Sequence, residues 1–136
     1  MGFNARVPRK FIKTITFTGA AGLGAQGTVA IATVVGSVLL THLTARCKTL
    51  LAGASATVEL GVAGNTEALI AQSTATDIDA GEFWQDTSPE AGVSPAIVDK
   101  AVTGNIILTV GTADVTSGVL EIVGYWLPLS DDGALG

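Results

Sequence analysis

Three short stretches hold the residues whose types and spacing could do chemistry. Gly22-Leu-Gly-Ala-Gln-Gly27 has the G-x-G-x-x-G spacing of a dinucleotide-binding turn. Phosphate binding there needs a helix directly after the glycines, so that its N-terminal amides face the anion. The residues that follow, Thr28 to Val35, are β-branched and alternating, and no acidic residue for a ribose occurs before Glu59. The stretch therefore reads as a flexible strand connection. Asp77-Ile-Asp79 with Glu82 offers hard oxygen ligands that a loop could fold around calcium. The ligand series is too short for an EF-hand and has no glycine in register, so these acids read as a surface able to receive a basic arm from a neighbour. His42, the one imidazole, stands five residues from Cys47, the one thiol. An odd separation on one strand points the two to opposite faces, so without a bulge they cannot act together as base and nucleophile. His42 is expected at a surface or interface and Cys47 in the core. No catalytic residue, cofactor or metal site emerges, and the chain is expected not to be an enzyme.

Charge is the most specific feature of the composition. Arg6, Arg9, Lys10, Lys13, Arg46 and Lys48 all precede the first carboxylate, Glu59, so the first 58 residues carry +6. The remainder sets twelve carboxylates against Lys100 and carries −11, which gives the net charge of −5. Such a division either creates a dipolar surface that selects docking orientation or lets the segments neutralise each other. Arg6, Arg9, Lys10, Lys13, Arg46 and Lys48 on one side, and Asp77, Asp79 and Glu82 on the other, are the candidate protein-interface residues. Nucleic acid is not an expected partner, because the balance is acidic and aromatic residues for base stacking are only 5% of the chain.

The elements that must position these residues read as strands. Gly, Ala, Thr and Val make up half of the 136 residues, and good helix-forming Lys, Glu and Arg are scarce. The length suits one domain. A single cysteine excludes an internal disulfide, so stability must come from packing or from neighbouring subunits. Thr28 to Ala45 lacks charge over eighteen residues, but its threonines, Gly36-Ser37 and His42 make it two strands and a turn rather than a membrane span. Met1 to Lys13 has no apolar run of the kind a secretory signal needs, which suggests synthesis in the cytoplasm without export.

Residues 1–12 are expected to form an extended basic arm, residues 13–130 the domain, and 131–136 a flexible tail. Lys10 to Phe17 begins the alternation, with Phe11, Ile15 and Phe17 on one face beside Lys13 and with Ile12, Thr14 and Thr16 opposite. Thr28 to Val35 forms a second strand, with Val29, Ile31 and Val35 on one side. Ser37 to Leu50 forms a third, with Leu39, Leu43, Ala45 and Cys47 inward and His42, Thr44, Arg46 and Lys48 outward. Ser55 to Ala63, with Ala56, Val58, Leu60 and Val62 inward, is expected to pair with it as a hairpin that sets Arg46 or Lys48 opposite Glu59. From Thr66 to Thr103 the period weakens into loops and short edge strands, with a helical turn allowed over Thr66 to Gln72. Asn105 to Val110 and Gly118 to Leu127 close the domain, Leu120, Ile122 and Trp126 sharing a face. Short strands between glycine-rich turns predict an all-β sandwich, with the jelly roll as a candidate form and an up-and-down barrel as the alternative.

Taken together, Lys13 to Gly27, Thr57 to Gln72, Thr76 to Trp84 and Gly124 to Ser130 resemble small structural proteins encoded among the head genes of tailed bacteriophages, a likeness spanning residues 13 to 130. The resemblance implies a virion component, a decoration or cement protein that sits as a homotrimer on the outside of the capsid, with the major capsid protein and its own copies as partners. It supplies no binding residues, so the interface residues rest on charge alone. A second reading is a receptor- or glycan-binding module at the base of a head fibre or in a tail, for which Trp84, Tyr125 and Trp126 are the stacking candidates. The plain reading of both tryptophans is core or interface packing. No membrane partner is expected.

Overall fold

The computed structural model describes residues 7–85, 88–93 and 97–136. Twelve strands run along it: β1 Arg9–Thr16, β2 Gly27–Ala32, β3 Val34–Val35, β4 Val38–Ala52, β5 Thr57–Val62, β6 Asn65–Thr74, β7 Glu82–Phe83, β8 Glu90–Ala91, β9 Lys100–Val102, β10 Ile106–Gly111, β11 Ser117–Pro128 and β12 Ala134–Leu135. A single 3-10 turn, Ala75–Asp77, separates β6 from β7. Among the described residues no helix is long and apolar enough to cross a membrane.

The strands form a β-sandwich. The front sheet has the order β1-β11-β4-β7-β8, with β9 also on β4, and the back sheet the order β2-β10-β5-β6. Period-two burial drives both. Ile15, Leu43, Ala45, Cys47, Leu120 and Ile122 point inward from the front sheet, and Val29, Val58, Leu60, Ile106, Leu108 and Val110 from the back, into one apolar core. Burying side chains of this size contributes about 1.5–3 kcal/mol each before the entropy cost of ordering the chain is subtracted.

The structure corrects several expectations. β4 and Ser55–Ala63 do not form a hairpin: β4 pairs with β11 in front, whereas β5 pairs with β6 and β10 behind. Arg46 consequently faces Glu121 and Glu59 faces Thr109 in the strand registers. Glycine at Gly53, with φ 144°, lets the chain turn from one sheet to the other instead of folding back. Thr66–Gln72 is not helical but lies within β6, because its backbone bonds complete the back sheet. In β4 the inward leucine is Leu40, not Leu39: a register shift after the Tyr125–His42 pair leaves Thr41 without an opposite residue and reverses the phase beyond it. Val34 rather than Val35 is buried, since the second predicted strand breaks at Thr33 into β2 and β3.

Both ends of the domain differ from expectation too. Arg9–Ile12, expected in the arm, already pair with Trp126–Val123, and Met1–Arg6 lie outside the described residues. Residues 134–135 of the expected flexible tail pair with β3, and Leu135 is buried. The Gly22–Gly27 stretch runs into a strand, as its sequence predicts, and Gly24 has a structural cause. Its φ is 118°, and a Cβ there would come within 2.1 Å of the Val115 carbonyl oxygen.

Candidate functional site

The front sheet turns one side to the core and the other outward, and no described strand covers its outer side over β1, β11 and β4. Strand register builds that side as short rows of neighbours. Lys10, Tyr125 and His42 form one row, Ile12, Val123 and Thr44 the next, and Thr14, Glu121 and Arg46 the third. The first two rows, with Pro8 at the start of β1, contain the walls of a concavity of about 420 Å³ lined by Pro8, His42, Thr44, Val123 and Tyr125.

The walls are mostly hydrocarbon and aromatic. Tyr125 is 37% exposed and Ile12 beside it is 54% exposed, which is high for large apolar side chains on a sheet. The cations Lys10 and Arg46 flank this patch along the rows. A hydrocarbon-lined hollow with a phenol, bordered by Lys10 in one row and by Glu121 and Arg46 in another, can bury a side chain or short segment of another molecule and orient it by charge.

Inside, two features hold the rows in place. Gly124 lies opposite Phe11 on the core side, where a Cβ would come within 2.1 Å of Phe11 Cε1, so the ring lies against bare backbone. Arg9 sets its guanidinium 5.2 Å from the Trp126 ring centroid and covers the end of that buried indole, a cation–π contact. Tyr125 is fixed partly through its backbone, whose carbonyl oxygen accepts a bond from Thr41 Oγ1 at 3.2 Å.

The predicted interface residues separate into three groups. Arg6 lies outside the described residues. Arg9, Lys10 and Lys13 are all on β1, but only Lys10 belongs to the outer rows; Lys13 is half-buried on the core-side phase of this edge strand. An inward-pointing lysine on an edge is a familiar way to discourage uncontrolled strand pairing. Arg46 and Lys48 are exposed on β4, with Arg46 lying 5.8 Å from the Phe83 ring centroid. Asp77, Asp79 and Glu82 sit on the far side of β4, away from β11. Gly81 there donates to the Cys47 carbonyl at 2.8 Å and Trp84 to that of Ala45 at 2.8 Å. Glu82 Oε1 accepts from the Asp79 backbone amide at 2.7 Å, a turn-closing bond. The β1 set is separated from the acids by β11 and β4, whereas Arg46 and Lys48 lie on the strand beside them.

His42 is exposed and Cys47 is buried on the opposite side of β4, as the odd separation requires. Burial pushes the Cys47 thiol above its ordinary value, with the negative charges of Asp79 and Glu82 adding to the effect and backbone hydrogen bonds from Leu51 and Thr49 opposing it. Among the described residues no cluster of three or more His, Cys, Asp or Glu side chains is arranged to hold a metal ion. Of the three stacking candidates, Trp84 is buried with Nε1 donating to Ser73 Oγ at 2.8 Å, and Trp126 is buried under Arg9. Tyr125 alone is exposed. The sequence reading missed Pro8, Thr44 and Val123 as parts of one hollow. A signal existed: Phe11-Ile12 and Ile122-Val123 are apolar in both phases, so one member of each pair had to face outward.

No family model matches the chain, and no curated protein matches it either. Among solved structures it is similar to a chain of the cyanophage Pam1 capsid asymmetric unit, at 22% identity and a TM-score of 0.46, over 90% of this chain and 86% of that one. An overlap this loose leaves the role of the chain to be argued from its own residues.

Proposed function

We propose that this chain is a structural protein of a bacteriophage virion, a decoration or cement protein that binds the outside of the capsid and bridges capsomers through the open face of its front sheet. The sequence likeness to phage head proteins motivates the class, and the uncovered hollow around Tyr125 carries the assignment of the face. Its apolar walls would bury a segment of the major capsid protein, while Lys10 and Arg46 would orient it. Homotrimer formation, synthesis in the host cytoplasm and a role without catalysis belong to the same reading, as does the absence of nucleic-acid and membrane partners. A jelly-roll form also belongs to it. Consecutive long strands mostly alternate between the sheets, β1 front, β2 back, β4 front, β5 and β6 back, and β10 back before β11 front, which places the first and last long strands side by side.

The test is occupancy on purified capsids. Tyr125→Ala combined with Ile12→Ser should leave folding intact and strip the protein from the shell at concentrations where the wild type saturates it. Unchanged occupancy would sink the assignment of this face, and no binding of the wild type to any phage shell would sink the function. Removing residues 1–6 tests the arm without touching Pro8 or β1.

A second reading follows from Tyr125 being the exposed member of the aromatic set: a glycan- or receptor-binding module of a head fibre or tail, with the phenol as stacking surface. Saccharide titration that shifts Tyr125 ring resonances, together with failure to bind shells, would favour it over the decoration role.

A further inference from the structure

The front sheet is electrically lopsided from edge to edge. At one edge β1 carries Arg9, Lys10 and Lys13 and no carboxylate. At the other, Asp77, Asp79, Glu82 and Glu90 lie on β7, β8 and the turn before them, with Lys100 further along the same side of β4 on β9 as the one cation there among the described residues. Arg46 and Lys48 on the neighbouring β4 offset part of that charge, and Arg46 is already engaged over Phe83. Four strand spacings separate β1 from β8, about 19 Å at about 4.8 Å per strand. Screening in physiological salt acts over about 8 Å, so the two edges do little to neutralise one another within one molecule. Each edge also exposes large apolar side chains, Val7 and Ile12 at the basic one and Val93 and Val98 at the acidic one, all between 47% and 64% exposed.

The outer edge of β1 pairs with no described strand. A two-fold contact of β1 with its own copy would bring Arg9, Lys10 and Lys13 against the same three cations, which is unfavourable. We propose that copies of this chain associate head to tail, the basic β1 edge of one molecule docking against the acidic β7–β8 edge of the next. Such a contact uses two different surfaces of the same chain, so it propagates around a ring and closes when the rotation per copy divides a full turn. Charge sets the direction and excludes the two-fold alternative, while Val7, Ile12, Val93 and Val98 supply apolar area. The inference deepens the virion reading only by naming how copies meet, and it does not depend on a shell being present.

Charge swaps on the full chain test it by sedimentation velocity across concentration and salt. Lys10→Glu with Lys13→Glu makes both edges acidic, and Asp77→Lys, Asp79→Lys and Glu90→Lys together make both basic; Glu82 is left in place because it closes its turn. Each reversed protein alone should associate at least about tenfold more weakly than the wild type at low salt, with an unchanged melting temperature. An equimolar mixture of the two should recover association, because each acidic edge then meets a basic one. Association untouched by either reversal, a mixture that stays dissociated, or a wild type that remains monomeric at all soluble concentrations would each overturn the proposal. Shell occupancy of the Tyr125→Ala protein, which leaves the residues of both edges in place, is a separate readout, so failure of the capsid reading and failure of the head-to-tail contact are told apart.

Discussion

The two outer faces of the sandwich are built from similar strands and reach different states. Behind, Glu59 is the centre of a closed polar set: it accepts from Thr66 Oγ1 and, at 3.2 Å, from Gln72 Nε2, which also reaches Thr57 at 3.4 Å. Gln72 is held further by its backbone amide, which donates to Glu67 at 2.7 Å. In front, the corresponding middle of the sheet holds Tyr125, Val123, His42 and Thr44 around a hollow, with Ile12 exposed beside them. A polar face whose groups mostly bond one another, with Thr109 Oγ1 opposite Glu59 the exception that has no partner among the described residues, has less to gain from a cover than a hydrocarbon face that lacks one. The difference teaches that the side of the molecule to be bound is marked by where apolar residues occupy the outward phase, rather than by where charge is densest.

The largest effect should come from the layer shared by both faces. Trp84→Ala removes a fully buried indole and is expected to cost about 3–5 kcal/mol in urea unfolding. If the folded fraction of this variant still fills shells normally, core and face are separable, as the comparison requires. On the front, Tyr125→Ala should weaken shell binding about tenfold or more while changing unfolding free energy by less than about 0.5 kcal/mol. A large loss of stability instead would mean that the ring packs its own molecule, and the contrast between the faces would fail. On the back, Glu59→Ala should do the reverse. Loss of the acceptor for Thr66 and Gln72 is expected to cost about 1 kcal/mol of stability, with shell occupancy unaltered.

The smallest effect concerns pH and the core between the faces. Because burial raises the Cys47 thiol in the folded chain, its contribution to stability is complete below the ordinary thiol range and fades as pH rises from there through the folded value, where the unfolded chain ionises first. Melting temperature should therefore decline more steeply above about pH 9 in the wild type than in Cys47→Ala. Equal slopes would show that the thiol is not shielded in this core.

Local pattern and chain economy were legible without coordinates. Alternation located β1, the bulk of β4, β5, β10 and β11, and the odd spacing of His42 and Cys47 placed them on opposite faces, because side-chain direction in a strand depends only on the residues between two positions. The β-branched run after Gly27 dismissed a nucleotide site for the same local reason. Where a bulge intervenes, as beside Thr41, counting fails, since the extra residue is visible only against the partner strand.

Pairing across the molecule was decided elsewhere. Nothing local tells β4 to join β11 rather than β5, or sets Arg46 opposite Glu121 instead of Glu59, because those choices depend on which sheet each strand enters. The same holds for the candidate face: Pro8, His42, Thr44, Val123 and Tyr125 come from three separated segments, and only the register of β1, β11 and β4 makes them neighbours. What the sequence by itself determined was a β-rich chain with its cations early and its acids late. Tertiary structure then set Arg9, Lys10 and Lys13 at one edge of a sheet and Asp77, Asp79, Glu82 and Glu90 at the other, and left a hydrocarbon hollow on its outer side, since strand order is a property of long-range contacts that no single segment encodes.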